Sequence, residues 1–171
     1  MEQQRWVGKQ MSRNSFGFTM VEMMIVLLIL GIVSAVALPS IRSNLDEIKL
    51  DGAAREVVSA IQYCQSMAIK TGLDHQVNFN VMQDKYKCQD MATTTTVIHP
   101  IDKKPYDVDF DVVATFQGVE IVSVSFIPGN QPTITFSSLG EPNKNGTIVL
   151  GYGGLQKTIT VSGILGNIAV N

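Results

Sequence analysis

Histidine and cysteine, the side chains that most often build catalytic and metal sites, are scarce in this sequence. The chain has 171 residues but only two histidines, His75 and His99, and two cysteines, Cys64 and Cys88. Neither histidine has a nucleophile near it in sequence, so we expect exposed strand or loop positions for both. The cysteines are too few for a disulfide scaffold and lack the spacing of metal ligands. The sequence therefore predicts no catalytic site, no metal site and no cofactor.

Three alternating aspartates are the nearest approach to a metal motif. Asp107, Asp109 and Asp111 would lie on one face of a strand, because side chains alternate along a strand. A calcium loop of the EF-hand type needs glycine at position 112 and glutamate at position 118. The chain has Val112 and Gly118 instead. We interpret the aspartates as an exposed acidic face, with a cation site built from distant ligands as the alternative.

Positive charge is scarce in the C-terminal part of the chain. From residue 43 onward there are 9 lysines and arginines against 13 aspartates and glutamates, and no arginine follows Arg55. The first 17 residues differ, because they contain Arg5, Lys9 and Arg13 against a single acidic residue, Glu2. A body with net negative charge is poorly suited to bind the phosphates of nucleic acid.

Charge is almost absent from Phe18–Leu38, where Glu22 is the only charged residue. The run has about 21 residues, which matches the roughly 20 needed for a transmembrane helix. Basic residues precede it, so we expect the leader to stay cytoplasmic and the C-terminal body to be exported. The sequence predicts a leader at 1–17 and a transmembrane helix at 18–38.

Glu22 is the anomaly of this run, since a charged side chain inside a span costs about 2.5–3.5 kcal/mol. If the chain is cut before Phe18, a new α-amino group appears one helical turn away. Glu22 could neutralise that amine on its own chain or on a neighbouring chain. The alternative is a carboxylate that snorkels to the interface without a further role.

A second processing route is open at the other end of the run. Ala35-Val36-Ala37 has the A-x-A pattern of a conventional secretory cleavage site, which would release a soluble body beginning at Leu38. The length of the run and the carboxylate at Glu22 argue against this route.

The two cysteines leave an alternative of their own. If the body is exported, a disulfide between Cys64 and Cys88 is chemically reasonable. It would close a loop of about 25 residues, worth about 3 kcal/mol in the chain-entropy model. The alternative is an unpaired cysteine on a helix and another in a strand.

Helical spacing continues beyond Pro39, and β patterns follow it. Apolar residues recur at three- and four-residue steps up to a C-terminal stop at Gly72, which predicts an amphipathic stalk at 39–72 and a β-rich head at 73–171. The stripe comprises Ile41, Leu45, Ile48, Ala54, Val57, Ile61, Cys64 and Ala68. The predicted strands are His75–Val81, Lys85–Gln89, Asp107–Phe116, Glu120–Ile127, Thr133–Ser137, Thr147–Tyr152, Lys157–Val161 and Ile164–Val170. Residues 91–105 are predicted to form a loop.

The N-terminal junction resembles the class III signal of type IV pilins and type II secretion pseudopilins. The shared pattern is a basic leader, then Gly17-Phe18-Thr19-Met20-Val21-Glu22, then the unbroken apolar run. The resemblance implies a prepilin peptidase that cuts after Gly17 and methylates Phe18, with Glu22 as the assembly carboxylate. Pro39 lies where such proteins often kink the long helix, which suits its missing N–H.

The C-terminal third resembles the GspH/FimT family of minor pilins and pseudopilins. The residues concerned are Thr135–Pro142, Gly146–Leu150 and Thr158–Ser162, followed by Gly163 or Gly166. The resemblance implies an α+β fold, in which a long N-terminal helix, transmembrane and then amphipathic, packs against an antiparallel β-sheet head.

The implied function is a structural subunit of a type II secretion pseudopilus or a type IV pilus. Its expected partners are the prepilin peptidase and methyltransferase, other pilin or pseudopilin subunits, and the lipid of the bacterial inner membrane, with the head in the periplasm. The alternative is an adhesion or DNA- or ligand-binding module at a pilus tip. Some FimT-like proteins bind DNA through basic C-terminal segments, but only Lys144 and Lys157 lie in the last fifty residues here. We therefore do not expect a nucleic-acid partner.

Overall fold

The structure, a computed structural model, describes residues 17–162 and 167–171. The side chains of residues 36–43 lie outside the described part. They include the side chains at the end of the predicted span and the ring of Pro39. The basic leader residues and residues 163–166, which include the start of the predicted strand Ile164–Val170, also lie outside the described part. Two compact units make up the chain, Met1–Ser40 and Ile41–Asn171.

The first unit contains the beginning of helix α1, which runs over Met20–Thr71. It begins two residues later than the predicted start at Phe18. Every side chain described between residues 20 and 35 is exposed, including Ile32 at 61%. Within 17–162 and 167–171, no helix is both long enough and apolar enough to span a membrane.

In the second unit, α1 ends where the sequence predicts. Thr71 is the last helical residue, and Gly72 follows with a φ of 68°. The Gly72 N–H donates to the Ala68 carbonyl at 3.0 Å, which satisfies one of the last free carbonyls of the helix. Glycine suits this position because a Cβ atom disfavours the left-handed conformation. The predicted stop at Gly72 is confirmed.

Two four-stranded antiparallel sheets follow the helix in the described part of the second unit. Their orders are β3-β2-β1-β5 and β4-β6-β7-β8. The strands are β1 His75–Asn80, β2 Lys85–Asp90, β3 Asp107–Asp109, β4 Glu120–Ile127, β5 Thr133–Phe136, β6 Asn145–Tyr152, β7 Leu155–Ser162 and β8 Asn167–Val170.

The strand predictions hold except at the third strand and at the start of the eighth. The predicted strand Ile164–Val170 is described only from Asn167 to Val170, since residues 164–166 lie outside the described part. β4 has both of its predicted ends, and β1, β2, β5, β6 and β7 agree within two residues. The predicted strand Asp107–Phe116 is wrong after Asp109, because the chain turns there. The Asp109 carboxylate accepts the Asp111 N–H at 3.0 Å, and the Asp109 backbone carbonyl accepts the Val113 N–H at 3.0 Å. Asp111 therefore belongs to a turn, and the predicted row of three aspartates on one strand face is wrong.

The core lies where the lower part of the helix and the strands of the second unit share buried apolar side chains. From the helix it takes Leu50, Ala53, Ala54, Val57, Ala60, Ile61, Cys64 and Ala68. The predicted stripe is thus right from Ala54 onward and wrong at Leu45 and Ile48, which are 58% and 68% exposed. The six-residue step from Ile48 to Ala54 does not return to the same helix face at 3.6 residues per turn, so the two segments face different directions.

The prediction of an exposed position for His75 is also wrong. It is 2% exposed rather than accessible, because it is the first inward-facing residue of β1. Its Nδ1 lies 2.9 Å from the Leu73 carbonyl oxygen, which gives the buried ring a polar partner. His99 is only partly exposed, and its Nδ1 lies 2.9 Å from an Asp102 carboxylate oxygen.

Candidate assembly and processing site

The junction predicted for processing is exposed at Gly17 and Phe18, where the described residues begin. Gly17 and Phe18 precede the helix without regular secondary structure, and Phe18 is 71% exposed. No described atom lies within 4 Å of the position where a Cβ on Gly17 would stand. Exposed chain without regular secondary structure is where proteolytic cleavage concentrates.

Thr19 begins the helix, a function that the sequence analysis missed. Its Oγ1 accepts the Glu22 N–H at 3.2 Å, and its carbonyl accepts the Met23 N–H at 3.2 Å. These two bonds make Thr19 the N-cap and place Glu22 at the third helical position. The signal was present in the sequence, since Thr-x-x-Glu before an apolar run is the pattern of a capping box.

The Glu22 side chain is exposed on the first turn of α1. A carboxylate is favoured there because the free N–H groups give the helix N-terminus a partial positive charge, worth about 0.3–1 kcal/mol. The cap fixes the backbone of the turn that carries Glu22. Sequence and structure therefore place Phe18 and Glu22 within one short, ordered segment.

A continuous apolar surface follows Glu22 in the first unit. Its exposed large side chains are Met20, Val21, Met23, Met24, Ile25, Val26, Leu27, Leu28, Ile29, Leu30, Ile32 and Val33. Soluble proteins rarely leave so many neighbouring apolar side chains in contact with water. These side chains are therefore available for contact with lipid or with other apolar helices.

Pro39 lies inside the helix as the structure assigns it, and α1 continues through residue 39 to Thr71. Proline removes one helical hydrogen bond and crowds the preceding turn. The predicted kink at Pro39 stays a prediction.

Cys64 and Cys88 lie together in the core of the second unit. Cys64 is on α1 and Cys88 is on β2, and both are free thiols with no exposed surface. A hydrogen bond with Cys88, together with burial, raises the pKa of the Cys64 thiol far above its ordinary range. The predicted disulfide partners thus belong to the same buried cluster, as two free thiols.

An ion-pair cluster joins the helix to β7 within the second unit. Asp51 receives Lys157 Nζ at 2.6 Å on one carboxylate oxygen and Arg55 Nε at 2.9 Å on the other. The hydrogen bond from Lys157, followed by that from Arg55, lowers the pKa of Asp51. The Arg55 partner could have been found from its four-residue spacing. Lys157 could not, because 106 residues separate it from Asp51.

Lys49 makes a second polar contact between helix and head. Its Nζ lies 2.5 Å from the Gln117 carbonyl oxygen and 4.2 Å from the centre of the Tyr152 ring. An ammonium group over an aromatic face is attracted by the electron density of the ring. Lys49 and Asp51 are thus polar side chains of α1 that attach the helix to the head.

Metal-ligand geometry is missing from the part of the chain that the structure describes. No three side chains among its histidines, cysteines, aspartates and glutamates are grouped closely enough to hold an ion. The cation site considered for Asp107, Asp109 and Asp111 therefore gains no support.

Two family models match the chain. Residues 12–38 match the prokaryotic N-terminal methylation motif, which covers the Gly17–Glu22 junction. Residues 53–165, about two thirds of the chain, match the family described as type II transport protein GspH. The chain belongs to the GspH family. The predicted resemblance is thereby confirmed at both ends of the molecule.

Solved structures show the same fold as this GspH family member. The minor pseudopilin EpsH from the type 2 secretion system of Vibrio cholerae is 17% identical, with a TM-score of 0.53 over 72% of this chain and 96% of that one. The type IV minor pilin FimU of Pseudomonas aeruginosa PAO1 is 15% identical, with a TM-score of 0.50 over 74% of this chain and 90% of that one. None of the curated proteins matches the chain in sequence.

These findings confirm the predicted pilin-like α+β fold and the assignment as a minor pilin or pseudopilin. The family is one of structural pilin-type subunits. The methylation motif implies processing by a prepilin peptidase and assembly with other pilins or pseudopilins.

Proposed function

We propose that this GspH family member is cut between Gly17 and Phe18, methylated at Phe18, and assembled as a minor subunit through the apolar N-terminal part of α1. The observation that carries the proposal is the capped helix start, in which Thr19 fixes a turn that exposes Glu22 next to the cleavage position. The exposed apolar side chains from Met20 to Val33 supply the packing surface.

In the assembled state, Glu22 pairs with the amino terminus of Phe18 on a neighbouring subunit. A carboxylate buried among apolar helices without a partner costs about 2.5–3.5 kcal/mol. Two opposite charges about 4 Å apart attract by about 4 kcal/mol at an effective dielectric constant near 20. The attraction is of the same size as the penalty, so a docked pair is tolerated whereas a misaligned helix leaves two unpaired charges. Glu22 thus sets the register of assembly.

Before assembly, residues 18–38 anchor the subunit in the inner membrane as a single span, and the head faces the periplasm. The basic leader residues Arg5, Lys9 and Arg13 favour this orientation. The head contacts other minor subunits, and its Lys157 is engaged by Asp51. That ion pair removes one of the two lysines near the C-terminus from contact with nucleic acid.

Mass analysis of the N-terminus tests the processing step. The full chain is made in a host that contains a prepilin peptidase, and the membrane fraction is isolated. We expect a chain that begins at Phe18 and carries one methyl group on its α-amine. A chain beginning at Leu38 would show the conventional secretory route instead, and a chain that keeps residues 1–17 would exclude prepilin processing.

A Gly17→Val variant provides the control for that measurement. Its branched side chain obstructs access to the bond before Phe18, whereas Gly31→Val changes a glycine of the same unit far from that bond. We expect the first variant to keep its leader and the second to be cut normally. Equal processing of both would contradict the assigned cleavage position.

A further inference from the structure

The two cysteines of the chain come from distant parts of the sequence and lie side by side in the head. Cys64 is on α1 and Cys88 is on β2, and the exposed fraction of each is 0%. Tyr63, the residue before Cys64, packs its ring 5.6 Å from the ring of Tyr106, and the Tyr106 carbonyl accepts the Cys88 N–H. These contacts place the helical turn that carries Cys64 against Cys88. Both belong to the cluster of buried side chains that forms the core of the second unit.

Backbone contacts fix the position of both cysteines. The Cys88 N–H donates to the Tyr106 carbonyl at 3.0 Å, and the Cys88 carbonyl accepts the Val97 N–H at 2.9 Å. On its other side Cys88 is paired with Val77 of β1. Cys64 is held within a long helix between the buried residues Ile61 and Ala68. Neither thiol can move away without disturbing a strand or the helix.

We propose that Cys64 and Cys88 are oxidised to a disulfide that links the stalk helix to β2 in the exported head. The inference rests on the proposed function, because export places the head in a compartment where disulfides form and persist. The oxidant is a protein dithiol oxidase in its disulfide form.

The reaction is a pair of thiol–disulfide exchanges. One cysteine loses its proton and attacks the disulfide of the oxidase, which forms a mixed disulfide and releases one thiolate of the oxidase. The other cysteine then loses its proton and attacks the mixed disulfide. This step forms the Cys64–Cys88 bond and releases the oxidase as a dithiol, so two electrons and two protons leave the pair.

Burial dictates when the bond forms. The thiolate is the attacking species, and burial together with the Cys88 contact raises the pKa of Cys64 in the folded head. An oxidase also needs access to a sulfur atom, whereas both sulfur atoms are covered in the folded state. Oxidation therefore precedes closure of the core, and the finished bond is then shielded from external thiols.

Intact-mass measurement tests the proposal on the full chain. The chain is made with a prepilin peptidase, quenched in acid, denatured with N-ethylmaleimide, and weighed. We expect a chain that begins at Phe18, carries no maleimide and is two hydrogen masses lighter than the dithiol. A chain that begins at Phe18 with two maleimide groups would overturn the disulfide while leaving the proposed function in place.

Refolding decides the question if the leader is retained and the proposed function fails. The purified full chain in detergent is unfolded, refolded with oxidised and reduced glutathione, and treated with N-ethylmaleimide in the same way. Formation of the intramolecular bond supports the disulfide, and two labelled thiols, or glutathione on each cysteine, overturn it.

Thermal unfolding separates the bond from ordinary packing. For a closed loop of about 25 residues, reduction should lower Tm by about 10 °C in the wild-type chain. The Cys64→Ala/Cys88→Ala double variant should show no change on reduction. An equal Tm for the oxidised and reduced wild-type chains would contradict the proposed linkage.

Discussion

The helix α1 places the same kinds of residue in opposite surroundings in the two units. Ile32, in the first unit, is 61% exposed, whereas Ile61, in the second, is fully buried against the head. Leu28 and Leu50 differ in the same way, since Leu28 is 63% exposed and Leu50 is 1% exposed. Residue type alone does not distinguish these positions.

The difference separates two uses of apolar surface. From residue 50 onward, the helix buries its apolar side chains within its own chain and stabilises the head. Between residues 20 and 35, it leaves them exposed for contacts that another molecule or a lipid must supply. Substitutions in the second unit should therefore change folding, and substitutions in the first should change assembly.

The largest difference in the free energy of unfolding is expected between two isoleucine substitutions, one in each unit. Ile61→Ala should lower the free energy of unfolding of the head by about 2–5 kcal/mol, because a cavity replaces fully packed atoms. Ile32→Ala is the matched substitution on the same helix, and it should leave unfolding of the head unchanged while reducing incorporation into filaments. Thermal unfolding of the full chain in detergent, followed by circular dichroism, measures the first effect. Equal destabilisation by both variants would remove the distinction between the units.

A glycine pair should give the next largest difference. A Cβ on Gly146 would collide with the Ser125 carbonyl oxygen and the Phe126 backbone on the adjacent strand, whereas a Cβ on Gly31 would meet no described atom within 4 Å outside its chain neighbours and its own turn of helix backbone. Gly146→Ala should cost the head about 1–3 kcal/mol, since β4 and β6 must separate. Gly31→Ala should favour its helix by up to about 1 kcal/mol. A head of unchanged Tm in Gly146→Ala would contradict the close pairing of β4 with β6.

The Asp51 cluster should give a smaller effect that depends on pH. The pKa of Asp51 is lower in the folded chain than in the unfolded chain, so the unfolded chain binds the proton more tightly. The charged Asp51 therefore stabilises the fold at pH values above its ordinary pKa near 3.8. That contribution is lost as pH falls through the lower pKa of the folded state. Asp51→Asn should therefore lower Tm at neutral pH, and its difference from wild type should close below about pH 4.

Asp111→Asn is the control for this pH series, because Asp111 is exposed in a turn. Its Tm should follow the wild-type curve at every pH. A constant gap between wild type and Asp51→Asn down to acid pH would show that lost packing, rather than charge, is responsible.

Local patterns predicted much of this fold. Alternation of apolar and polar residues placed β4 correctly at Glu120 and Ile127, and the glycine preference of a helix terminus placed the end of α1 at Gly72. The junction at Gly17, Phe18 and Glu22 was identified because its features are contiguous in sequence. In each case the decisive interactions are made by neighbouring residues.

The errors arise where distant contacts or a single side chain decide the structure. Ile48 continued a three- and four-residue spacing but lies on another helix face from the buried stripe, and only packing of the head selects that face. His75 is buried because the first residue of β1 faces inward. The Asp109 carboxylate ends β3 by forming a turn, although the residues after it favour strands.

The central claim is that Glu22 directs assembly, and competition between variants tests it most directly. Glu22→Gln is produced together with wild-type chain in the same cells, and the ratio of the two is measured in membranes and in isolated filaments. Glu47→Gln is the matched control, because Glu47 is an exposed carboxylate on the same helix in the second unit. Loss of the charge pair should reduce the share of Glu22→Gln in filaments by at least about tenfold, which corresponds to about 1.4 kcal/mol. Its processing at Phe18 and its level in membranes should be unchanged, and Glu47→Gln should enter filaments like wild type. Equal incorporation of Glu22→Gln and wild type would contradict the claim.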